Sequence, residues 1–349
     1  MDKEIIKIPE LKGEVKDLVE EAEKVYWDNF DSEAWFGRCI FLSWYCERGT
    51  CTFCFRSVTK HQIKHAKQAR RSLASVLAEA MMIRGFGWRI EFLTGGYGIC
   101  DDAELIRYTK LVSQIIKQPM WVNLGEIGTN LLDELKPYVT GIVSSIETLN
   151  PELHQKVCPD KPIAPYVKMI KEASKKGFKQ GMTIIIGLGE KKEDFSLLKE
   201  FISKNEIERL TIYALRPVKG TPFENGPDPL DVTWWTAKTR IAFPKIEIIV
   251  GSAAYRLPEL NLVLRAGANA ITKLPATNMF NTKKGKEVEE QVKLANRKFI
   301  SKFSCKDVKK AINWKEMLKG VELTPEEKEE VMQTLNNYLE NMDKKSVEE

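Results

Sequence analysis

Short apolar runs alternate with longer amphipathic segments along most of the chain. The runs are almost continuously apolar, as expected of strands that are buried on both faces. The longer segments repeat apolar residues at helical spacing, and several end at a glycine, such as Gly85 and Gly177. We predict eight strands, each followed by a helix, at 37–46, 89–96, 120–125, 140–148, 181–190, 209–217, 246–253 and 268–272.

Eight regular strand–helix units predict a parallel sheet closed into a (β/α)8 barrel of the TIM type. The alternative is a doubly wound open sheet. A charged amphipathic helix is predicted over 11–30, and another after Thr324, which forms a capping box with Glu327. We therefore expect an N-terminal helical segment (1–35), the barrel (36–301) and a helical C-terminal extension (302–349).

Charge and hydropathy narrow the class of protein. The 54 basic and 49 acidic residues leave a net charge of +5, too small an excess to indicate a nucleic-acid binder. No apolar run reaches the roughly 18 residues of a membrane helix, and the N-terminus has no signal-peptide core. We expect a cytoplasmic protein whose seven cysteines are thiols or metal ligands.

Three of these cysteines lie within nine residues, directly after the first predicted strand. Cys46, Cys51 and Cys54 have the spacing C-x4-C-x2-C. A zinc ribbon would need a second pair of ligands, and a redox C-x-x-C pair would leave Cys46 unexplained. A 4Fe–4S cluster uses all three thiolates and leaves one iron open. We favour the cluster over zinc or incidental thiols, because this end of a barrel carries the active site.

The motif and its position resemble the radical S-adenosylmethionine (SAM) superfamily. The usual spacing there is C-x3-C-x2-C, so this chain has one extra residue between Cys46 and Cys51, which a loop can absorb. The resemblance covers about residues 36–300. Within the superfamily, "LVLRAGANAIT" (262–272) and "KGTPF" (219–223) resemble the biotin synthase-like subgroup, which includes hydrogenase and methanogen cofactor maturases, a pyrrolysine mutase and archaeal lipoyl synthases.

The resemblance implies a SAM site built on the turns after the strands. "TGGYG" (94–98) stands where the family binds the SAM amino group, with a tyrosine where an acidic residue is common. "IIIGLGE" (184–190) resembles the family's adenine-binding glycine motif. An acid at the end of strand four and an aromatic residue before the third cysteine complete the set. The implied SAM contacts are Phe53, Gly95, Gly96, Tyr97, Glu147, Gly187 and Gly189.

The resemblance also implies a reaction. One electron from a ferredoxin- or flavodoxin-like donor would cleave SAM, and the resulting 5′-deoxyadenosyl radical would take hydrogen from an unactivated C–H bond. A non-catalytic iron–sulfur protein is the alternative, which SAM cleavage would exclude.

The remaining cysteines bear on the substrate. Cys39 is expected to be a core thiol at the bottom of the barrel. Cys100, Cys158 and Cys305 are candidates for an auxiliary iron–sulfur cluster, or are three unrelated thiols. We favour sulfur insertion into an octanoyl group, as in lipoyl synthase, for which a second cluster would be needed, with an acyl-carrier protein and a second radical SAM protein as partners. Without a second cluster, we expect a single-cluster maturase or mutase that acts on a small molecule.

Three basic residues follow predicted strands six and seven. Arg216, Lys219 and Arg256 are candidates to bind a substrate carboxylate, with plain surface roles as the alternative. We select Arg216 and Arg256 as the candidate catalytic residues.

Overall fold

The computed structural model describes residues 5–347 and contains a closed barrel of eight parallel strands. The last barrel strand pairs with the first, which also pairs with the second. A short ninth strand extends the sheet beside the start of the first. The predicted (β/α)8 barrel is therefore confirmed. The strands are β1 (Glu33–Phe41), β2 (Arg89–Thr94), β3 (Met120–Asn123), β4 (Val139–Glu147), β5 (Lys179–Ile186), β6 (Arg209–Ala214), β7 (Glu247–Gly251), β8 (Ala270–Thr272) and β9 (Lys298–Phe299).

Helices surround the barrel, and the main hydrophobic core lies between them and the strands. Ile212, Val250 and Ile271 are fully buried in this layer. The helices are α1 (Gly13–Asn29), α2 (Phe55–Thr59), α3 (Leu73–Gly85), α4 (Asp102–Ile116), α5 (Thr129–Leu135), α6 (Pro151–Val157), α7 (Ala164–Lys175), α8 (Phe195–Lys204), α9 (Pro229–Ala242), α10 (Leu260–Arg265), α11 (Ala276–Met279), α12 (Lys283–Leu294), α13 (Val308–Ala311) and α14 (Pro325–Val347).

The C-terminal helix α14 packs on α3, on the outside of the barrel. The hydroxyl groups of Ser75 and Tyr338 lie 2.7 Å apart across this contact. The predicted capping box is present, since Thr324 and Glu327 exchange hydrogen bonds of 3.1 and 3.2 Å. No helix within residues 5–347 combines the length and hydrophobicity needed to span a membrane.

Two local features differ from the sequence-based expectations. β1 ends at Phe41 rather than at residue 46, because the chain leaves the sheet at Ser43 to form an antiparallel bridge with Arg70. The pattern also does not predict α6, which follows β4. Asn150 caps this helix by accepting a hydrogen bond of 3.1 Å from the backbone of Leu153.

The contact between β1 and β8 that closes the barrel is short. Pairing of β1 with β8 extends only from Trp35 to Gly37, whereas its pairing with β2 continues to Phe41. Above Gly37, the edge of β1 that faces β8 therefore has no strand partner within residues 5–347. We call this gap the seam.

Candidate active site

The three motif cysteines line a cavity of about 100 Å³ at the C-terminal face of the barrel. Its other walls come from the loops that follow β2, β3 and β4. Cys54 occupies the N-cap of α2, and its backbone N–H donates a hydrogen bond of 3.0 Å to the Cys51 carbonyl. The turn that precedes α2 thus fixes the spacing of the second and third cysteines. Phe53, between them, also lines the cavity.

The first cysteine is held against the turn that follows β2. The backbone N–H groups of Gly49 and Tyr97 donate to Cys46 Sγ over 3.4 and 3.5 Å. At Gly96, a Cβ atom would lie 2.2 Å from the Tyr45 carbonyl oxygen and 2.5 Å from Cys46 Cβ. The glycine is therefore required by the close approach of two backbones. Gly95 lines the same cavity.

Tyr97 presents its backbone to the cysteine loop and directs its side chain elsewhere. Its hydroxyl group is hydrogen-bonded to Tyr166 and lies 3.3 Å from Glu126 Oε1. The Arg48 guanidinium stacks 3.8 Å from the centre of the tyrosine ring and donates twice to Glu126, over 3.1 Å each. Burial, together with the neighbouring Tyr166, raises the pKa of Tyr97. This cluster braces one wall of the cavity.

A buried ion pair also lines the cavity. Lys161 Nζ lies 2.5 Å from Glu147 Oε1, and both side chains are at most 10% exposed. Glu147 has a φ of +68°, which few non-glycine residues adopt. Burial alone would lower the pKa of Lys161, but the Glu147 carboxylate outweighs it and the pKa is raised. Lys161 was not a predicted site residue, although its place between α6 and α7, in the connection that follows β4, is a signal for it.

The predicted adenine-binding glycines lie outside the cysteine cavity. Gly187 and Gly189 have φ values of +106° and +121°. Their N–H groups and that of Leu188 donate to the Glu190 carboxylate over 2.7 to 3.1 Å. Burial raises the pKa of Glu190, in opposition to these hydrogen bonds. The carboxylate fills the nest of donors, so a role of these glycines toward adenine stays a prediction.

The cysteine cavity suits a cluster better than a single ion. Within residues 5–347, no three His, Cys, Asp or Glu side chains are grouped to hold one metal ion. A 4Fe–4S cluster binds each thiolate at a different iron, so its ligands do not converge on one point. Thr50 Oγ1 and Arg56 Nε are also buried without a hydrogen-bond partner beside the motif. Cys46, Cys51 and Cys54 are thus the residues that would hold such a cluster.

The proposed auxiliary ligands are not brought together. Cys158 packs against Cys51, and its hydrogen bond lowers the pKa of the Cys51 thiol to about 7. Cys100 lies before α4 in the field of Glu104, and burial raises its pKa to about 11. The backbone of Cys305 is bound to Asn281, over 2.8 Å. The three thiols thus have different neighbours, and their grouping into one auxiliary site stays a prediction.

Cys39 lies inside the barrel rather than at its bottom. Because β1 ends at Phe41, this thiol is two residues from the C-terminal end of the strand. Its Sγ donates to Glu91 Oε2 over 2.8 Å, and the same carboxylate accepts from Tyr213 and Thr272. Burial raises the pKa of Cys39 well above its usual value. The barrel interior thus contains a buried polar network below the cysteine cavity.

The basic candidates have different environments. Arg256 is 2% exposed and donates to Glu259 over 2.8 and 2.6 Å and to the Pro227 carbonyl over 2.8 Å. All three of its nitrogens therefore have acceptors within the protein, and its predicted role toward a substrate carboxylate stays a prediction. Lys219 is exposed. Arg216 is exposed and lines a second cavity of about 540 Å³.

Comparison with known proteins adds independent information. Residues 42–202 match the model of the radical SAM superfamily, and residues 211–298 match that of the Biotin and Thiamin Synthesis associated domain. An uncharacterized protein of Methanocaldococcus jannaschii is 34% identical over 309 residues, which cover 85% of this chain and 84% of that protein. Biotin synthase of Carboxydothermus hydrogenoformans is 26% identical over 254 residues, with coverage of 70% and 76%.

Solved structures agree on the fold. The crystal structure of methylornithine synthase matches with a TM-score of 0.64 and 22% identity, over 75% of this chain and 79% of that one. At this identity the match shows the fold alone.

Proposed function

Because the chain belongs to the radical SAM superfamily and to its biotin synthase-like subgroup, we propose that it abstracts hydrogen from a small molecule held in the barrel. The family uses a 4Fe–4S cluster and SAM. When bound, these supply reductive cleavage of SAM and a 5′-deoxyadenosyl radical. The observation that carries the proposal is the cavity lined by Cys46, Cys51 and Cys54 at the C-terminal face of the barrel.

The residues of the chain would ligate the cluster, position the bound groups and shield them from water. Three cysteines provide the thiolates, and Gly96 lets the first of them lie against the turn after β2. The buried pair of Glu147 and Lys161 forms a fixed, charged wall of the cavity. Buried polar groups of this kind are ordered before any ligand arrives, so they can orient it without reorganising.

A single-cluster reaction is the form that the geometry supports best. The separation of Cys100, Cys158 and Cys305 supports a maturase- or mutase-type reaction on a small molecule. Its electron donor is of the ferredoxin or flavodoxin class, and we place the reaction in the cytoplasm.

Sulfur insertion is the second candidate. It is favoured by the similarity to biotin synthase and by the match to the Biotin and Thiamin Synthesis associated domain. In this form the enzyme would act on an octanoyl group on an acyl-carrier protein, with a second radical SAM protein as a partner. Iron content separates the two, since about four irons per chain indicate one cluster and about eight indicate two.

SAM cleavage tests the proposal directly. Anaerobically reconstituted protein with dithionite and SAM should yield 5′-deoxyadenosine, measured by liquid chromatography. Cys46→Ser, Cys51→Ser and Cys54→Ser should each abolish the product, whereas the control Cys305→Ser should retain it. A wild-type protein that is fully loaded with iron but forms no 5′-deoxyadenosine would refute the proposed enzymatic activity.

A further inference from the structure

The second cavity, of about 540 Å³, lies at the seam between β1 and β8. This volume is within the range of roughly 300–1,000 Å³ for small-molecule sites. The cavity extends from Cys39 and Phe41 in the barrel to the C-terminal helix α14. The residues of α14 that line it are Tyr338, Asn341 and Met342. We call this space the seam chamber.

The seam chamber adjoins the cysteine cavity. Arg56 lines the cysteine cavity, and its guanidinium carbon lies 5.7 Å from the ring centre of Phe41, which lines the chamber. Trp44 lines the chamber two residues before Cys46, and its ring packs 5.1 Å from that of Phe41. One aromatic ring and one arginine thus separate a ligand in the chamber from the cysteine site.

The charge of the lining is positive. Its one acidic residue, Glu79, is already bound by both Arg38 and Arg71. Lys273 and Arg216 also line the chamber, and neither has an ion-pair partner in the described part of the chain. Two cations are therefore available to a ligand.

Of these two cations, Lys273 lies toward the barrel interior, whereas Arg216 is exposed. Lys273 Nζ is 5.0 Å from the ring centre of Phe41 and 4.9 Å from that of Tyr213. The Tyr213 hydroxyl group donates to Glu91 inside the barrel. The outer end of the chamber, at α14, instead offers Met342 as an apolar contact.

The rest of the wall suits an aliphatic body. Apolar side chains from β1, α3, the loops after β1 and β8, and α14 follow the chamber along its length. They are Phe36, Phe41, Trp44, Met82, Leu274 and Met342.

We propose that the seam chamber binds the substrate, and that this substrate is a carboxylate with an aliphatic body. The proposal rests on the proposed function. The carboxylate pairs with Lys273 and Arg216, and the aliphatic part lies along the seam toward α14. A carboxylate fits better than a phosphate, because a dianion loses more hydration when it is buried beside an aliphatic wall. An octanoyl group attached through its carbonyl has no anion to place at the inner end, so the chamber favours a free acid.

Binding of octanoate to the full-length, cluster-loaded protein tests this inference by anaerobic calorimetry. We expect octanoate to bind at least about tenfold more tightly than octanamide, which lacks the charge. Lys273→Gln and Arg216→Gln should each lower the affinity for octanoate by a similar factor. The control Lys199→Gln, an exposed residue of α8 outside the chamber, should leave binding unchanged. Lys273→Arg should restore binding if the charge is what matters.

The results that would contradict the inference differ from those that would contradict the proposed function. Equal octanoate affinity in the wild type, Lys273→Gln and Arg216→Gln would overturn the inference, as would tighter binding of octyl phosphate. Met342→Trp should reduce octanoate affinity by filling the outer end, and unchanged affinity would also count against the chamber. Octanoate binding without 5′-deoxyadenosine formation would instead refute the proposed function and leave the chamber standing. Melting temperatures show whether each variant is folded.

Discussion

Replacement of Gly96 by alanine gives a quantitative test of the cysteine site. The added Cβ would lie 2.2 Å from the Tyr45 carbonyl oxygen, whereas real Cβ atoms keep about 3.0 Å. The backbone of the cysteine loop must therefore retreat by about 0.8 Å, since no flexible side-chain end is available to move instead. Such overpacking costs about 1–3 kcal/mol. The movement also stretches the hydrogen bond of 3.5 Å from Tyr97 to Cys46 Sγ beyond reach.

We expect Gly96→Ala to fold with reduced stability and to lose most of its iron after anaerobic reconstitution. Urea denaturation of the apoprotein measures the first effect, and iron and sulfide assays measure the second. Gly128→Ala is the matched control, because Gly128 lies in a loop at the same barrel face and has nothing within 4 Å of an added Cβ. If Gly96→Ala keeps the iron content and SAM cleavage of the wild type, the close approach of the two loops is not what positions Cys46.

Three further predictions concern buried charges. Glu259→Gln should lower the free energy of unfolding by about 3–5 kcal/mol, because it leaves the buried Arg256 without its counter-charge. The control Glu33→Gln, in an exposed ion pair, should lower it by about 0–1 kcal/mol. Similar urea midpoints for the two variants would contradict this prediction. Burial raises the pKa of Glu79, but its two arginines outweigh burial and lower it. The stability gained from Glu79 is therefore complete above the pKa of the unfolded carboxyl group, and it is lost as the pH falls through the folded-state value. The difference in unfolding free energy between the wild type and Glu79→Gln should shrink below roughly pH 4, and a constant difference would refute this sign. Lys161→Met should destabilise by about 3–5 kcal/mol, because its buried carboxylate partner loses its cation, and an unchanged melting temperature would show that the pair is solvated.

The sequence predicts the strands well because parallel barrel strands are buried on both faces, which makes them apolar runs. The predicted strand at 209–217 is β6 with three extra residues, and that at 140–148 is displaced from β4 by one. The error at β1 has a physical cause. Residues after Phe41 remain apolar, but they pair with the segment around Arg70 rather than with the barrel.

Only part of the candidate site could be predicted from the sequence. Spacing along the chain was enough to group Cys46, Cys51 and Cys54, because the three lie on one loop. The sequence places Cys100 and Cys158 after strands, but it does not say which way each loop turns around the barrel. Arg256 could not be recognised as buried, because its burial depends on packing between distant segments.

The pairing of β1 also sets the order in which this protein can mature. Its first strand must wait for β8, in which Thr272 pairs with Gly37 from 235 positions further along the chain. At about 5–20 residues per second, a ribosome needs roughly 15–50 s to supply that partner. During this interval an apolar strand of the nascent chain has an open edge, which favours association with other chains. Contacts this distant in sequence also slow folding. We therefore expect the yield of soluble protein to depend on chaperones and on the rate of synthesis.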